Sequence, residues 1–505
     1  MKKNDNYPLF KDMFRVLAIC IAIAGAGTTP LMAQFTVINP TFTNLGTSTN
    51  FTSSSHSFGD YDRDGDLDIL ITGRGEYGHQ SKILKNNGGT YSEVNSEYYY
   101  DEHQYDWMPS LAMSSVDWGD YDNDGDLDFA ICGQMEYTYT RYAYIYRNDG
   151  SRFNNISAPL LQATGRGKNI KWLDYDNDGD LDVFVSGSNN SSVATANLYQ
   201  NNNGIFTNSG VNFEGLSEGG FDCVDYDGDG DIDILITGQG WTKLTRLYKN
   251  NGGNFELVET NIINLSYSSV AWGDYDNDGD LDVAIMGMDE SVVNRTKVYT
   301  NLGSDNFVEA AELYGMCDGC IGWADYDNDS DLDLMVSGHN GSVIKTLLYN
   351  NNNGTFTDIG FAFPNLWQSY FSWGDIDNDG DLDLLLSGQS GNSVDTRTTK
   401  LYRNNCATPN QAPGVPGNLN AVTNGTEITL FWDQATDTET PQAGLSYNIY
   451  VSEEETDANG TYTEAFKYTE ALNGRRFLAD WGKIKWSPDG YTFKLKNSKH
   501  YKFSV

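Results

Sequence analysis

Along most of this chain apolar residues come in short runs, each closed by small residues: Ile69-Leu70-Ile71 before Thr72-Gly73, Phe129-Ala130-Ile131 before Cys132-Gly133, Leu384-Leu385-Leu386 before Ser387-Gly388. Runs this short fit fully buried strands rather than helices. Ahead of each run lies another strand-like segment ending on one large residue, Phe58, Trp118, Trp172, Trp272, Trp323 or Trp373, with Cys223 as the odd one out. Downstream, a third segment ends in an aromatic-Asn signature such as Leu198-Tyr199-Gln200-Asn201-Asn202, an Asn/Gly turn follows, and a fourth segment opens on Phe. The unit recurs seven times, about 50 to 60 residues apart, a blade-sized period. Four strands per unit predict an all-β chain built as a seven-bladed β-propeller.

Between the first and second strands of every unit stands a nine-residue acidic turn. Its acids are Asp60, Asp62, Asp64, Asp66 and Asp68 in the first unit and Asp120, Asp122, Asp124, Asp126 and Asp128 in the second. The third has Asp174, Asp176, Asp178, Asp180 and Asp182, and the fourth Asp225, Asp227, Asp229, Asp231 and Asp233. Asp274, Asp276, Asp278, Asp280 and Asp282 follow, then Asp325, Asp327, Asp329, Asp331 and Asp333, and last Asp375, Asp377, Asp379, Asp381 and Asp383. Carboxylates about 5 Å apart repel by roughly 3 kcal/mol per pair at an effective dielectric near 20, so a cation is required among them. Acids at positions one, three, five and nine, a Gly at six and a carbonyl at seven make the oxygen cage that calcium wants, as in the first part of an EF-hand loop. The distal Glu of an EF-hand is missing and a strand follows. About seven calcium ions are therefore expected, with the loop acids as ligands. Ser330 replaces the Gly in the sixth loop and should make it the weakest site.

The string Trp-Gly-Asp-Tyr-Asp-Asn-Asp-Gly-Asp-Leu-Asp at 118 to 128 and 272 to 282 resembles the FG-GAP-like (VCBS) repeats, relatives of the integrin alpha-chain propeller. The resemblance covers roughly residues 34 to 405. It implies a calcium-binding propeller outside the cytoplasm. Integrin repeats have a longer gap before the acidic loop, so integrin ligand behaviour does not carry over.

Five acids in each of seven loops account for nearly all of the net charge of -39. The acidity is thus a metal-site signal, and no basic stripe is left to neutralise the phosphates of a nucleic acid. Lys2, Lys3, Lys11 and Arg15 precede an apolar run from Val16 to Ala26, and Leu31-Met32-Ala33 offers a cleavage point, so residues 1 to 33 read as an export signal. The run is short of the roughly 20 residues that span a bilayer, and no later stretch qualifies. A secreted or cell-surface location without a transmembrane segment in the mature chain follows. Of the remaining cysteines, Cys132 and Cys223 read as core fillers, while Cys317-Asp318-Gly319-Cys320 suggests a local disulfide.

The seventh unit stops after Leu401-Tyr402-Arg403-Asn404-Asn405 without its Phe strand, and Gln34-Phe35-Thr36-Val37-Ile38 is such a strand with no unit before it. The amino-terminal strand is expected to complete the last blade and leave no open edge. The acidic loops would share one side of the propeller, and the variable connections the other. Trp107 and Trp241, on two of those connections, are the candidate contacts for a glycan or protein ligand.

After a linker over 406–415, residues 416–505 resemble a fibronectin type III domain lacking its last strand, through Leu419, Ile428-Thr429-Leu430-Phe431-Trp432 and a Tyr501 corner. The leading function is a binding or adhesion module at the cell surface. The alternative is a propeller-scaffolded polysaccharide lyase or hydrolase, but no His-Glu-x-x-His string is present and the loop acids are committed to metal.

Overall fold

A computed structural model of the chain describes residues 36–38, 50–406 apart from 76–77, 95–107, 151, 162–167 and 392–395, and 414–437 apart from 425–426; beyond these, only the backbone of short segments is described. The export signal expected over 1–33 and the candidate Trp107 lie outside the described residues.

The repeats fold as antiparallel sheets. Thr52–Gly59, Asp68–Gly75, Gly78–Asn86 and Tyr91–Glu93 make the first, and the second, third and fourth units each repeat that four-stranded order. The fifth and sixth units are joined into one seven-stranded sheet. There the 18-residue strand Phe307–Ala324 pairs first with Asn294–Asn301 and then with Asp333–His339, passing from outer strand of one unit to inner strand of the next. In the last sheet Trp367–Gly374, Asp383–Gln389 and Arg397–Arg403 are completed by Thr36–Ile38, with Thr36 opposite Arg403 and Ile38 opposite Leu401. That pairing is the one expected for the amino-terminal strand.

The apolar runs fill the second strands, and they do not alternate with polar residues because both faces of each sheet are covered. Leu70 packs with Trp118 and Phe129 of the following sheet, whereas Ile69 and Ile71 pack with Ile376, Leu385 and Leu401 of the last one. Seven apolar clusters of this kind each draw on two consecutive units, and one joins last to first. Each buried Leu, Ile or Phe contributes about 1.5–3 kcal/mol relative to exposure. Each neighbour thereby holds the next, and the sheets form a β-propeller.

The large residue before each loop wedges between units. Trp118 lies against Gly59, where a Cβ would sit 2.9 Å from the indole Cδ1; Trp172 against Gly119 and Trp323 against Gly273 repeat the fit. Where the third unit has Leu173 in place of that glycine, the fourth has Cys223 in place of the Trp, and the two residues share one cluster. A large-for-small exchange on one sheet is matched by the opposite exchange on its neighbour.

Cys317 and Cys320 are free thiols, which corrects the expected disulfide. The register of their strand shifts between them, so Cys317 stands opposite His339 and Cys320 opposite Ser337. In the carboxy-terminal segment Asn420–Asn424, Glu427–Phe431 and Tyr491–Lys494 form one three-stranded sheet, and Tyr462–Lys467, Tyr450–Thr456 and His500–Ser504 another. Among the described residues no helix is long and apolar enough to cross a membrane.

Candidate metal centres

Each acidic loop closes the turn between an inner strand and the buried strand beside it, with Gly59 opposite Asp68 at its base in the first unit. Two positions must adopt left-handed backbone. The sixth is Gly in six loops (Gly65 at φ 96, Gly279 at φ 100) and Ser330 at φ 75 in the other. The fourth is also left-handed, at Arg63, Asn123, Asn177, Gly228, Asn277, Asn328 and Asn378, and Asn tolerates that region better than other non-Gly residues. This is why Asn recurs between the second and third acids.

Within the loop every acid has its own set of partners. Asp174 accepts the N–H groups of Asp178 and Gly179 at 3.1 and 2.9 Å, which shapes the turn. Asp182, the ninth residue, accepts the N–H of Tyr175 at 3.2 Å and that of Asn201 at 2.7 Å. The seventh-position side chains look elsewhere: Asp66 accepts from Gly88, Asp331 from Asn353 and Asp381 from Cys406, so these carboxylates tie the loop to the turn after the third strand.

What remains points inward. Carboxylate oxygens of Asp60, Asp62 and Asp68 lie within 4.8 Å of one another, as do those of Asp120, Asp122 and Asp128, of Asp174, Asp176 and Asp182, of Asp225, Asp227 and Asp229, and of Asp274, Asp276 and Asp282, with two further groups of the same kind. The third-position Oδ1 atoms of Asp122, Asp227, Asp327 and Asp377 are buried and accept no hydrogen bond. Burial first, and neighbouring carboxylates after it, push these acids up: Asp120 to about 8, Asp282 to about 9 and Asp333 to about 9, with Asp128 and Asp182 also well above the usual range. Buried, mutually repelling oxygens without donors fit a hard cation. These acid groups can each hold a metal ion.

The third strand supplies what the sequence signature did not disclose. Its Asn two residues after the Leu or Tyr is fully buried and works in three directions. Asn201 gives its N–H to Asp182, accepts the Gly204 N–H at 2.7 Å, and donates from Nδ2 to the Tyr121 carbonyl of the preceding unit's loop at 2.8 Å. The same interunit bond joins Asn148 to Tyr61, Asn250 to Tyr175, Asn301 to Tyr226, Asn351 to Tyr275 and Asn404 to Tyr326. Asn86 to Ile376 closes the set between first and last. A turn signature in the sequence is thus also the joint between neighbouring metal loops.

At the other end of the sheets, Trp241 stands fully exposed on the hairpin between Asp233–Gln239 and Lys243–Asn251, and Tyr137 and Tyr139 are exposed on the corresponding hairpin of the second unit. Neighbouring hairpins brace each other there: His79 Nδ1 lies 2.9 Å from the Gln134 carbonyl, and the Arg141 N–H donates to Asn190. Cys317, Asp318 and His339 also meet at this end, with Nε2 3.9 Å from the thiol and 3.8 Å from the carboxylate. His339 Nδ1 accepts the Gly341 N–H at 2.9 Å. That bond leaves the ring proton on Nε2, which then faces the thiol and the carboxylate as a donor rather than as the base a nucleophile needs.

Fold and site together define a β-propeller whose every unit carries an acidic, cation-ready loop. The FG-GAP-like repeat matches residues 60–131, 132–185, 174–236, 225–285 and 325–386, more than half of the chain, and the protein belongs to that repeat family. No curated protein matches the sequence. Among solved structures, a lectin of Aleuria aurantia in complex with alpha-methyl-L-fucoside is similar at 8% identity and TM-score 0.37, covering 63% of this chain and 99% of the lectin. The V. cholerae biofilm matrix protein Bap1 is similar at 11% identity and TM-score 0.35, covering 86% of this chain and 80% of Bap1.

Proposed function

We propose that the chain is an exported, calcium-stabilised, seven-bladed propeller over residues 34–405, followed by a linker and a fibronectin type III-like spacer over 416–505, and that it acts at the cell surface as a binding or adhesion module for a glycan or protein. The observation that carries this reading is the repeated triplet of converging carboxylates with buried, donor-less oxygens. Calcium bound there supplies charge neutralisation and holds the first turn of each blade. First, third, fifth and ninth acids would be its ligands, with affinity per site on the order of 0.1 to 1 mM, the range of extracellular modules. The metal's role is structural, so recognition falls to the hairpins at the opposite end. Trp241, exposed over its whole surface there, is the contact assigned to the ligand. A glycan and protein array probed with the purified chain, with and without chelator, tests this. The expected outcome is a calcium-dependent hit that Trp241→Ala weakens at least about tenfold, the loss of one well-packed aromatic contact. Binding that survives both chelator and the substitution would contradict it.

A further inference from the structure

The residue just before the joint Asn on the third strand varies from loop to loop, and in five of the seven it meets the third-position acid. In the first loop Lys85 pairs with Asp62 and also reaches Asp64 at 3.0 Å; in the fourth, Lys249 pairs with Asp227 and reaches Asp229 at 3.2 Å. Both ammonium groups thus sit on the two acids that the cage would share with a metal. Elsewhere the equivalent residue is neutral, turned away, or holds one acid only. Gln200 donates to Asp176 at 2.7 Å and Asn350 to Asp327 at 2.9 Å. Thr300 bonds the Tyr275 hydroxyl at 2.6 Å, and Arg147 turns to Asp149 in its own hairpin at 2.7 Å. Arg403 in the last loop holds Asp377 alone. Seven loops of nearly one sequence therefore differ in a charge supplied from outside the loop.

Resting on the calcium reading above, we infer that Lys85 and Lys249 are built-in competitors that set the calcium affinities of the first and fourth loops below those of the others. Calcium affinity in oxygen cages follows the charge of the ligand set, and an ammonium shared by two of the acids occupies both carboxylates the ion would use, whereas Arg403 engages one. A neutral Gln or Asn donor orients its carboxylate and leaves its charge intact. The chain then fills in two steps as calcium rises, the first and fourth loops last, the charge beside those two cages outweighing the Ser330 backbone strain that marks the sixth loop as weak. Lys85 and Lys249 are both partly exposed, with side chains 29% and 27% accessible, so each can leave its acids for water when the ion enters.

Native mass spectrometry of the mature chain across a calcium titration counts bound ions directly. The wild type should load in two stages, with two ions arriving last. In Lys85→Gln with Lys249→Gln those two should join the early group, each tightening by at least about tenfold, since removing one unit charge roughly 5 Å from a divalent ion has that effect even at the dielectric constant of water. Lys85→Arg with Lys249→Arg keeps the charge and should load as the wild type does. Unchanged loading in the Gln variant, or a loss of the two late ions, would overturn the inference, the second outcome making the lysines supports for the acids. A wild type that binds no calcium at all would remove the calcium reading itself, and circular dichroism of the Gln variant checks that the fold persists.

Discussion

Asn86 Nδ2 donates to the Ile376 carbonyl at 3.1 Å across 290 residues of sequence, and so fastens the first repeat to the last. Six equivalent bonds fasten each remaining repeat to the one before it. The joint is buried, so an apolar side chain at Asn201 strands the Tyr121 carbonyl and the Gly204 N–H, while the backbone bond to Asp182 stays. Asn201→Leu should destabilise the chain by about 2–3 kcal/mol, the cost of stranding buried polar partners, read as a lower urea midpoint. Asn208→Leu, a substitution in the outer strand of the same sheet, should shift it by less than about 0.5 kcal/mol, as surface changes do.

Leu173 and Cys223 predict a coupled pair. Cys223→Trp alone forces an indole against Leu173 and should cost about 1–3 kcal/mol by overpacking. Leu173→Gly alone opens a cavity. Together they recreate the Gly59 and Trp118 arrangement, and a double-mutant cycle should show a favourable coupling above about 1 kcal/mol. Additive losses would mean that the two positions do not share the wedge.

Ser330 holds a left-handed conformation that the other six loops give to glycine. Ser330→Gly should raise stability by up to about 1 kcal/mol, since the strain it relieves exceeds the entropy that glycine adds to the unfolded chain. Differential scanning calorimetry at saturating calcium would show it. A lower melting temperature would place the strain elsewhere.

Stability should depend on pH in opposite senses with and without metal. Without it, Asp68, Asp120 and Asp333 titrate near 8, 8 and 9 when folded, above their unfolded values, because burial opposes their charge. A raised folded pKa stabilises the protonated state, and that contribution is lost as pH rises through the folded value. In chelator the melting temperature should therefore fall from about pH 4, the unfolded value, to about pH 9. With calcium bound, the ion favours the charged carboxylates, so the stability they confer is kept at neutral pH and lost on acidification. The gap between the two curves should widen as pH rises. Parallel curves would contradict this.

Much of this architecture was legible in the chain because it is written repeatedly. The Trp wedge, the acidic turn and the buried run recur in phase, and the unpaired amino-terminal strand matched the one strand that the last unit lacks. Contacts between units were not legible, since nothing in one repeat states what the next repeat places against it. The Asn joints, the Leu173 and Cys223 exchange and the lysines over Asp62 and Asp227 all arise from pairs separated by a blade or by a strand. The fusion of the fifth and sixth units through Phe307–Ala324 was also hidden, because an extended connection and an ordinary loop carry the same polar composition.

The central claim is that cations among these carboxylates hold the ring of sheets together. Calorimetric melting of the purified chain at neutral pH, once in chelator and once in millimolar calcium, tests it most directly. The account predicts a large, calcium-dependent rise in melting temperature, with a single cooperative transition when the sites are filled. Superimposable melting curves in the two conditions would contradict it.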